Sequence, residues 1–334
     1  MFSLAFGVGT KNSRGVWLEV YYPEPLLNPD PALVATISGI IGYSRGNQVI
    51  ELDGDTLDKL VKIAELKYVQ VLRESIKPVV ITLLEKDSSP KSTPEAYLKL
   101  HLLSHRLIQP NHLNLEGLFG VLPNVAWTNL GAVDPAELDS MQLNARINDR
   151  VLEVSSVDKF PKMANYVVPS GVRIAHTARV RLGAYLGEGT TVMHEGFVNF
   201  NAGAMGPNMV EGRISQGVTI ESGTDIGGSA STAGTLSGGG NTLITIGQEC
   251  LISANAGTGI PLGDRCTIEA GLYITPGTLV QVMDEKKKNI EVVKARQLAG
   301  HSDMLFLRNS QTGVVECRSN NKAIELNKIL HSNK

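Results

Sequence analysis

The sequence predicts a mainly β chain in which a parallel β-helix lies between an N-terminal α/β domain and a small C-terminal α/β cap. The first observation is an apolar residue at every sixth position, a step that neither an α-helix nor an isolated strand produces. The residues that keep this step are Val168, Ile174, Val180, Leu186, Val192 and Val198, then Ile214, Ile220 and Ile226, then Ile246 and Ile252, and finally Ile260, Cys266 and Leu272. A six-residue repeat is typical of a solenoid in which each hexapeptide forms one side of a triangular coil. At roughly eighteen residues per coil, about six coils are expected.

The second observation is a turn-forming residue three positions after most of the apolar residues. These turn formers are Gly171, Gly183, Gly189, Asn201, Gly217, Gly223, Asn255 and Gly263. Glycine and asparagine adopt a positive φ most easily, so we expect them at the corners of the coil. The next position is often small, and these residues are expected to face the narrow interior: Ala178, Ala184, Thr190, Ala202, Ala230, Ala256 and Ala270.

The predicted domain order follows from where the repeat begins and ends. The boundaries are 1–150 for the α/β domain with a linking helix, 151–167 for a linker, 168–280 for the β-helix and 281–334 for the cap. Two places break the repeat: 204–213 is read as carrying four extra residues, and 233–242 as an insertion of small, flexible residues. Insertions at solenoid corners often carry binding sites. The second insertion is either a loop without function or a lid that orders over a ligand.

Local patterns predict the remaining elements. In the N-terminal domain they are a hairpin of 4–8 with 16–22, a helix over 31–41, a helical region over about 55–75, a strand over 79–84, a helix capped by Ser92 or Thr93, and a helix over 134–147 with Asp134 at its start. In the C-terminal cap they are a hairpin of 304–307 with 314–317 and a closing helix over 321–331. His101 and His105 lie four residues apart on one of these helices, a spacing that can hold a metal. Because no third ligand is evident, we expect packing or surface roles for both.

Composition excludes several classes of function. The chain has 31 basic and 33 acidic residues, so nothing suggests a nucleic-acid partner. No apolar run is long enough to cross a bilayer, and the N-terminus lacks the pattern of a secretory signal. Cys250, Cys266 and Cys317 form no close pair in sequence, which favours a reducing compartment. We therefore expect a cytoplasmic protein.

The hexapeptide fold supports several activities, so the fold alone does not decide the function. A zinc hydro-lyase of the γ-carbonic anhydrase type requires three histidines, but the coil has only His176 and His194. Their separation of eighteen residues predicts that they stack on adjacent coils. A non-catalytic structural solenoid would not need the unusual residues near the first break. An acyltransferase that uses an acyl-CoA is the remaining class.

The segments around the breaks are more specific than generic hexapeptides. They read VMHEGFVNFNAG at 192–203, MVEGRIS at 209–215, LSGGGN at 236–241, EAGLYI at 269–274, VKAR at 293–296 and RNS at 308–310. This series resembles the tetrahydrodipicolinate N-succinyltransferases of bacterial lysine and diaminopimelate synthesis, in particular the actinobacterial and pseudomonad branch. The N-terminal segments FSLAFG and LPNVAW also resemble that branch. The resemblance implies a left-handed coil, a homotrimer with active sites between the prisms, and succinyl-CoA as co-substrate with no tightly bound cofactor.

The resemblance also implies roles for individual residues. The catalytic carboxylate falls on Glu211. The acyl-CoA contacts fall on Arg213, Gly228, Ser231, Ala254, Glu269, Ala270, Gly277, Lys294, Arg308, Asn309 and Ser310. Relatives often have two arginines before Asn-Ser, whereas this chain has Leu307 and Arg308. A divalent cation, Mg²⁺, on the trimer axis is implied at Glu195, but Ala178 stands where relatives place an aspartate.

Acyl transfer from a thioester to an amine requires a neutral amine and a polarised carbonyl. Glu211 could act as a general base or as a nucleophile that forms an anhydride, and the sequence leaves both open. Acetyl-CoA on the same acceptor is the alternative donor. Lys294 and Arg308 are expected to meet CoA phosphates or a substrate carboxylate.

Overall fold

The computed structural model describes residues 1–234, 243–284 and 289–319. The chain divides into two units. The first consists of Met1–Ile108 and His112–Pro161, and the second of Gln109–Asn111 and Lys162–Lys334. Among the described residues, no helix has the length and apolar character that a membrane span requires.

The first unit contains a five-stranded sheet. Its strands are β1 (Ser3–Lys11), β2 (Trp17–Tyr21), β3 (Leu26–Leu27), β4 (Gln48–Glu51) and β5 (Val79–Leu84). They lie in the order β2-β1-β5-β4, with β3 also paired to β1. β1 and β2 are antiparallel neighbours, which confirms the predicted N-terminal hairpin, and β5 confirms the predicted strand.

Six α-helices accompany this sheet. They are α1 (Pro31–Ile41), α2 (Gly54–Leu60), α3 (Val69–Leu72), α4 (Thr93–Ser104), α5 (Leu118–Val121) and α6 (Leu138–Ile147). α1 is confirmed as predicted, and so is α4, whose N-cap Ser92 accepts a hydrogen bond from the Glu95 amide. A core of apolar side chains from β1, β5, α1, α2 and α3 packs on the sheet, and it includes Leu4, Phe6, Ile37, Leu60 and Ile81.

Two of the predicted helices differ from the structure. The helical region predicted over 55–75 consists of two short helices, α2 and α3, and is not one continuous helix. Leu57 and Leu66 are both buried, yet nine residues of continuous helix would turn them to opposite sides. α6 begins at Leu138 rather than at Asp134, because the Asp134 carboxylate accepts a hydrogen bond from the Ala136 amide in a preceding turn.

His101 on α4 has a packing role, as predicted, and His105 follows as the C-cap of this helix. The His101 ring is fully buried; Nε2 accepts a hydrogen bond from the Tyr22 amide at 3.2 Å, so Nδ1 must donate to the Tyr97 carbonyl at 2.8 Å. Burial lowers the pKa of His101 to about 3 and also lowers the pKa of His105. The imidazole of His101 is therefore neutral at physiological pH.

Lys99 is a second buried polar residue of α4. Its side chain is fully buried, and its ammonium group donates hydrogen bonds to the Asp87 carboxylate and, at 2.8 Å, to the Asn114 carbonyl. These partners compensate the charge, as a buried ion pair requires.

A separate three-stranded sheet completes the first unit. It is formed by β6 (Val125–Thr128), β7 (Gly131–Val133) and β8 (Val154–Asp158), in the order β7-β6-β8. β8 lies within the segment predicted as a linker, and it pairs antiparallel with β6.

The second unit is a left-handed β-helix of short strands. In chain order these strands are β9 (Arg173–Ile174), β10 (Tyr185–Leu186), β11 (Thr190–Val192), β12 (Phe197–Val198), β13 (Gly203–Ala204), β14 (Asn208–Val210), β15 (Arg213–Ile214), β16 (Thr219–Ile220), β17 (Asp225–Ile226), β18 (Ser231–Thr232), β19 (Thr245–Ile246), β20 (Leu251–Ile252), β21 (Gly257–Thr258), β22 (Thr267–Ile268) and β23 (Tyr273–Ile274). Neighbouring coils pair in parallel. Short 3-10 helices cover Met163–Asn165, Thr177–Arg179 and Ala295–Leu298.

The strands form three faces, as the six-residue step predicts. Face A contains β9, β11, β14, β17, β20 and β22; face B contains β12, β15, β18, β21 and β23; face C contains β10, β13, β16 and β19. The predicted apolar residues from Val180 to Leu272 are all buried. Val168 is 69% exposed, contrary to the prediction, because it precedes β9 and has no strand neighbour in the coil.

The first break of the repeat differs from the prediction. Ala204 and Val210 are both fully buried, so the six-residue step continues unchanged from Val198 through these two residues. The next inward strand residue, Ile214, follows Val210 after four positions instead of six. The predicted extra residues in 204–213 are therefore wrong, because the coil is two residues shorter at the corner after Val210. Most of the second break, at 235–242, lies outside the described residues.

The predicted corner residues have a positive φ at seven of eight positions. The exception is Gly263. There a Cβ would lie 2.5 Å from Ser302 Oγ and 2.7 Å from the Gly300 carbonyl, so this glycine allows a close approach of the chain, while Arg265 takes the positive φ. Ala178 and Ala270 are exposed rather than inward, so interior space does not explain their size.

Two antiparallel hairpins follow the coil. They are formed by β24 (Leu279–Met283) with β25 (Asn289–Lys294) and by β26 (Met304–Arg308) with β27 (Val315–Ser319). The second hairpin was predicted, and the first was not. β26 pairs in parallel with β22, so the hairpins extend face A in the order β25-β24-β27-β26-β22. The predicted closing helix over 321–331 lies outside the described residues.

Candidate active site

The corner between faces A and B carries four of the predicted acyl-CoA contacts in one row. Ile226, Ile252, Ile268 and Phe306 pair in register on successive strands of face A. The residues two places further on are Gly228, Ala254, Ala270 and Arg308. Amide-to-carbonyl bonds from Asn255 to Gly228 (2.8 Å) and from Gly271 to Ala254 (3.0 Å) continue this register past the strands. The first three of these residues are small, so they leave an open strip along the coil. Arg308 lies at the end of this strip.

Glu211 lies on the one corner of this edge that is two residues shorter than its neighbours. Four residues separate the face A and face B strands in the coil before (193–196) and in the coil after (227–230). Only Glu211 and Gly212 separate β14 from β15. The short corner lies between two longer ones and leaves a cavity of about 420 Å³ beside it. The cavity is lined by Arg179, Glu195, Phe197, Gly212, Arg213, Ser229, Ala230 and Ser231.

Gly212 allows the short corner to pack against the next coil. A Cβ at this position would lie 2.4 Å from the Ala230 carbonyl oxygen and 2.7 Å from that of Gly227. The Glu211 and Gly212 amides donate to the Ile226 carbonyl at 2.7 and 3.2 Å. The backbone beside Glu211 is therefore fixed by hydrogen bonds, and no larger residue fits there without a shift.

Glu211 and three predicted binding residues lie together. The Glu211 carboxylate is directed toward Gly228, since a Cβ on Gly228 would lie 3.8 Å from Glu211 Oε2. Arg213 donates from Nε and Nη2 to Ser231 Oγ at 3.2 and 2.8 Å. The structure thus places a half-buried carboxylate and an exposed guanidinium on either side of Gly212.

A second group of predicted residues lies where the hairpins meet the coil. The Arg308 amide donates to Glu269 Oε2 at 2.8 Å, and the Glu269 amide donates to the Phe306 carbonyl at 2.9 Å. Asn309 Nδ2 donates to Glu316 Oε1 at 2.8 Å, and Ser310 follows in the exposed turn.

Gly277 and Lys294 form a third group. Lys294 pairs with Leu279, two residues after Gly277, across the β24–β25 hairpin. Gly277 is exposed and has open space around it.

The two coil histidines lie on adjacent coils, as predicted, and the rings of His176 and His194 meet edge to face, with their centroids 5.3 Å apart and their planes at 89°. Among the described residues, no group of three His, Cys, Asp or Glu side chains could hold a metal ion. Glu195 is exposed and lines the cavity. Ala178 is also exposed and supplies no ligand, so a single chain offers one carboxylate at the implied magnesium site.

Arg179 and Phe197 line the cavity but were missed from the sequence. A signal exists, because Arg179, Phe197, Arg213 and Ser231 each directly precede an inward residue at the start of face B. To recognise that these residues are neighbours, one must know which residues pair between coils. The separation of paired residues changes from eighteen to sixteen at Glu211.

A left-handed β-helix of hexapeptides with a half-buried carboxylate and an exposed arginine at one corner is typical of the hexapeptide-repeat transferases. The family profile described as "Hexapeptide repeat of succinyl-transferase" matches residues 243–276, and that described as "Tetrahydrodipicolinate N-succinyltransferase middle" matches residues 122–162. The chain belongs to the tetrahydrodipicolinate N-succinyltransferase family, as the following full-length relatives show.

Three such relatives share the whole length of the chain. The chain is 61% identical to a 2,3,4,5-tetrahydropyridine-2,6-dicarboxylate N-succinyltransferase of Pseudomonas paraeruginosa, over 99% of this chain and 98% of the relative. A protein of the same name from Vibrio cholerae is 51% identical, over 99% of both chains. A crystal structure from Campylobacter jejuni, described as a candidate 2,3,4,5-tetrahydropyridine-2-carboxylate N-succinyltransferase, superposes with a TM-score of 0.89 at 28% identity. The match covers 97% of this chain and 93% of that one.

Proposed function

We propose that this chain transfers succinyl from succinyl-CoA to the amine of tetrahydrodipicolinate in its open-chain form, 2-amino-6-oxopimelate. The products are N-succinyl-2-amino-6-oxopimelate and CoA, in lysine and diaminopimelate biosynthesis. The observation that carries this proposal is Glu211 on the shortened corner, beside Arg213 and a cavity of about 420 Å³. The names and full-length similarity of the relatives support the same reaction.

In this proposal Glu211 is the catalytic carboxylate. As a general base it would take the proton that the amine loses as it attacks the thioester carbonyl. As a nucleophile it would displace CoA thiolate and form a mixed anhydride, which the amine then opens. Both routes use an ionised carboxylate whose position is fixed, and the backbone hydrogen bonds of Glu211 and Gly212 to Ile226 support that requirement.

We assign succinyl-CoA to the open strip along the corner. Its narrow part would pass the small residues Gly228, Ala254 and Ala270, since a pantetheine arm needs a channel without bulky side chains. The proposed contacts also include Arg213 and Ser231 at one end and Glu269, Gly277, Lys294, Arg308, Asn309 and Ser310 toward the other. Lys294 and Arg308 would pair with the phosphates of CoA, which arginine and lysine bind by charge-assisted hydrogen bonds.

The choice of donor is tested by measuring thiol release with purified protein, tetrahydrodipicolinate and either succinyl-CoA or acetyl-CoA. A site that pairs the succinyl carboxylate should disfavour acetyl-CoA, because the shorter acyl group leaves a cation without its partner. We expect kcat/KM to be at least about 100-fold higher with succinyl-CoA. Faster turnover with acetyl-CoA would replace the assignment with an acetyltransferase, and no turnover with either donor would favour a non-catalytic solenoid.

We also propose a homotrimer in a reducing, cytoplasmic compartment. The three faces of the coil are parallel sheets, which suits side-by-side packing of prisms, and all three cysteines are unpaired thiols. Sedimentation at micromolar concentration should give a trimer, and a monomer at that concentration would remove a site shared between chains.

Magnesium stays a prediction that rests on Glu195 alone. A cation on a three-fold axis would need this carboxylate from each chain, since Ala178 supplies no oxygen ligand. The proposed reaction therefore assigns no step to a metal. Equilibrium dialysis with Mg²⁺ before and after Glu195→Gln would decide whether the ion binds.

A further inference from the structure

The cavity beside Glu211 spans four coils, and its N-terminal end lies beyond the proposed acyl-CoA contacts Arg213 and Ser231. Phe197 pairs with Arg213 and Arg213 with Ser231 on successive coils, and the bridge from Val180 to Val198 places Arg179 one coil before Phe197. The proposed acyl-CoA contacts begin at Arg213 and continue toward the C-terminal coils. The end of the cavity formed by Phe197 and Arg179 is thus left for the acceptor.

Arg179 is held in a fixed orientation at this end. Its Nη2 donates to the Glu195 carbonyl at 2.8 Å and its Nε to the Gly196 carbonyl at 3.3 Å. Its guanidinium carbon lies 5.8 Å from the centre of the Phe197 ring. Two hydrogen bonds along one edge of the group and the contact with the Phe197 ring restrict its rotation, which lowers the entropy lost when it binds a ligand.

The charge and some donors of Arg179 stay available. Both hydrogen bonds go to neutral backbone carbonyls, and a guanidinium has five N–H donors. Within the part of the chain that the structure describes, Arg179 forms no ion pair with a carboxylate. Glu195 lines the same cavity, and its backbone carbonyl accepts the hydrogen bond from Arg179.

We propose that Arg179 binds the carboxylate of the acceptor that lies far from the amine, and so makes the enzyme select dicarboxylates. This inference rests on the proposed function. In an open-chain C7 amino acid, the amine carbon lies five bonds from the far carboxyl carbon, about 6 Å when extended at roughly 1.25 Å per bond along the chain. With a hydrogen bond of about 3 Å at each end, the span from Glu211 to the guanidinium is about 12 Å.

The coil supplies a comparable distance. Glu211 lies on the coil that contains Arg213, two coils from Arg179. Coils are spaced by about 4.8 Å, so the two backbone positions differ by about 10 Å along the axis. The side chains of Glu211 and Arg179 account for the difference between this separation and the span of about 12 Å that the ligand requires.

The first test compares Arg179→Met with the matched variant Arg181→Met. Arg181 also lies beside Phe197, at 5.9 Å from the ring centre, but it donates to Asn199 Oδ1 and does not line the cavity. We expect Arg179→Met to raise KM for tetrahydrodipicolinate about 10- to 100-fold, as for the loss of a charged hydrogen bond, while KM for succinyl-CoA changes less than about twofold. Arg181→Met should change neither constant by more than about twofold. An unchanged acceptor KM in Arg179→Met, or an equal effect of both variants, would overturn the proposal.

The second test removes the carboxylate from the ligand instead of the cation from the protein. By calorimetry, the wild type should bind 2-aminopimelate at least about tenfold more tightly than 2-aminoheptanoate, which lacks the far carboxylate. In Arg179→Met this ratio should fall to about one to three, and an unchanged ratio would refute the role of Arg179. If the methionine variant does not fold, Arg179→Gln, which can still donate to a backbone carbonyl, is measured in the same way with the same criterion. This binding ratio does not depend on turnover, so an inactive wild type that shows it contradicts the proposed function alone.

Discussion

Gly212→Ala tests whether the short corner beside Glu211 depends on a close approach of two coils. The new Cβ would lie 2.4 Å from the Ala230 carbonyl oxygen and 2.8 Å from Ile226 Cγ2. Real Cβ contacts are not shorter than 3.0 Å, so the corner must move by at least about 0.6 Å, the difference between 3.0 and 2.4 Å. Overpacking of this kind costs about 1–3 kcal/mol of unfolding free energy.

The displaced corner carries the Glu211 carboxylate, so activity should fall as well. A misplacement of about 1 Å can reduce turnover about 100-fold, and we expect a loss of about 10- to 100-fold in kcat for a shift of this size. Urea unfolding followed by circular dichroism gives the stability, and thiol release gives kcat.

Gly228→Ala provides the matched stability control for this experiment. It adds the same methyl group at the same corner one coil later, where the nearest atom is Glu211 Oε2 at 3.8 Å. We expect its unfolding free energy to stay within about 0.5 kcal/mol of the wild type. Wild-type stability and turnover in Gly212→Ala, or equal destabilisation by both substitutions, would refute the argument from close approach.

Three further predictions concern buried polar groups. The pKa of His101 is about 3 in the folded protein and 6.5 for a free side chain. Between these values the unfolded chain binds an extra proton, so the free energy of unfolding falls as pH falls through that window. His101→Phe should reduce this pH dependence, measured by urea unfolding, by up to about 1.4 kcal/mol per pH unit, and an unchanged slope would contradict a neutral imidazole. Lys99→Met leaves the Asp87 carboxylate without its buried cation and should cost about 3 kcal/mol in the same assay, whereas a loss below about 1 kcal/mol would show that the pair is solvated. Burial raises the pKa of Cys317 to about 12, so an alkylating reagent at pH 8 should label it only after denaturation, and rapid labelling of the folded protein would contradict its burial.

The coil could be predicted from the sequence because each hexapeptide repeats the same local requirement. An inward apolar residue such as Val192 stacks on its equivalent in the next coil, so the step of six appears directly in the sequence. The shortened corner was misread because Ala204 is too small to register as a repeat residue, and the step seemed to stop at Val198. The prediction of a positive φ at Gly263 was wrong for a different reason. A glycine is needed there because residues 300–302, which are distant in sequence, approach its backbone closely.

The site could be predicted only where a residue resembles the family or interrupts the repeat. Glu211 and Arg213 meet both conditions, and the structure places them beside the cavity. Arg179 and Phe197 lie within an unbroken stretch of the repeat and look like ordinary outward residues. Their proximity to Glu211 arises from stacking between coils, which depends on a register that the sequence does not display.

Single-turnover thiol release by Glu211→Gln tests whether the Glu211 carboxylate carries out the acyl transfer. The substitution keeps the size of the side chain and removes its capacity to act as a base or a nucleophile. Glu188→Gln, at an exposed carboxylate on another corner of the coil, controls for the loss of one surface charge. We predict that Glu211→Gln binds succinyl-CoA with an affinity close to that of the wild type but releases thiol at least about 100-fold more slowly, while Glu188→Gln is unaffected. Near-normal thiol release by folded Glu211→Gln would show that Glu211 is not the catalytic carboxylate.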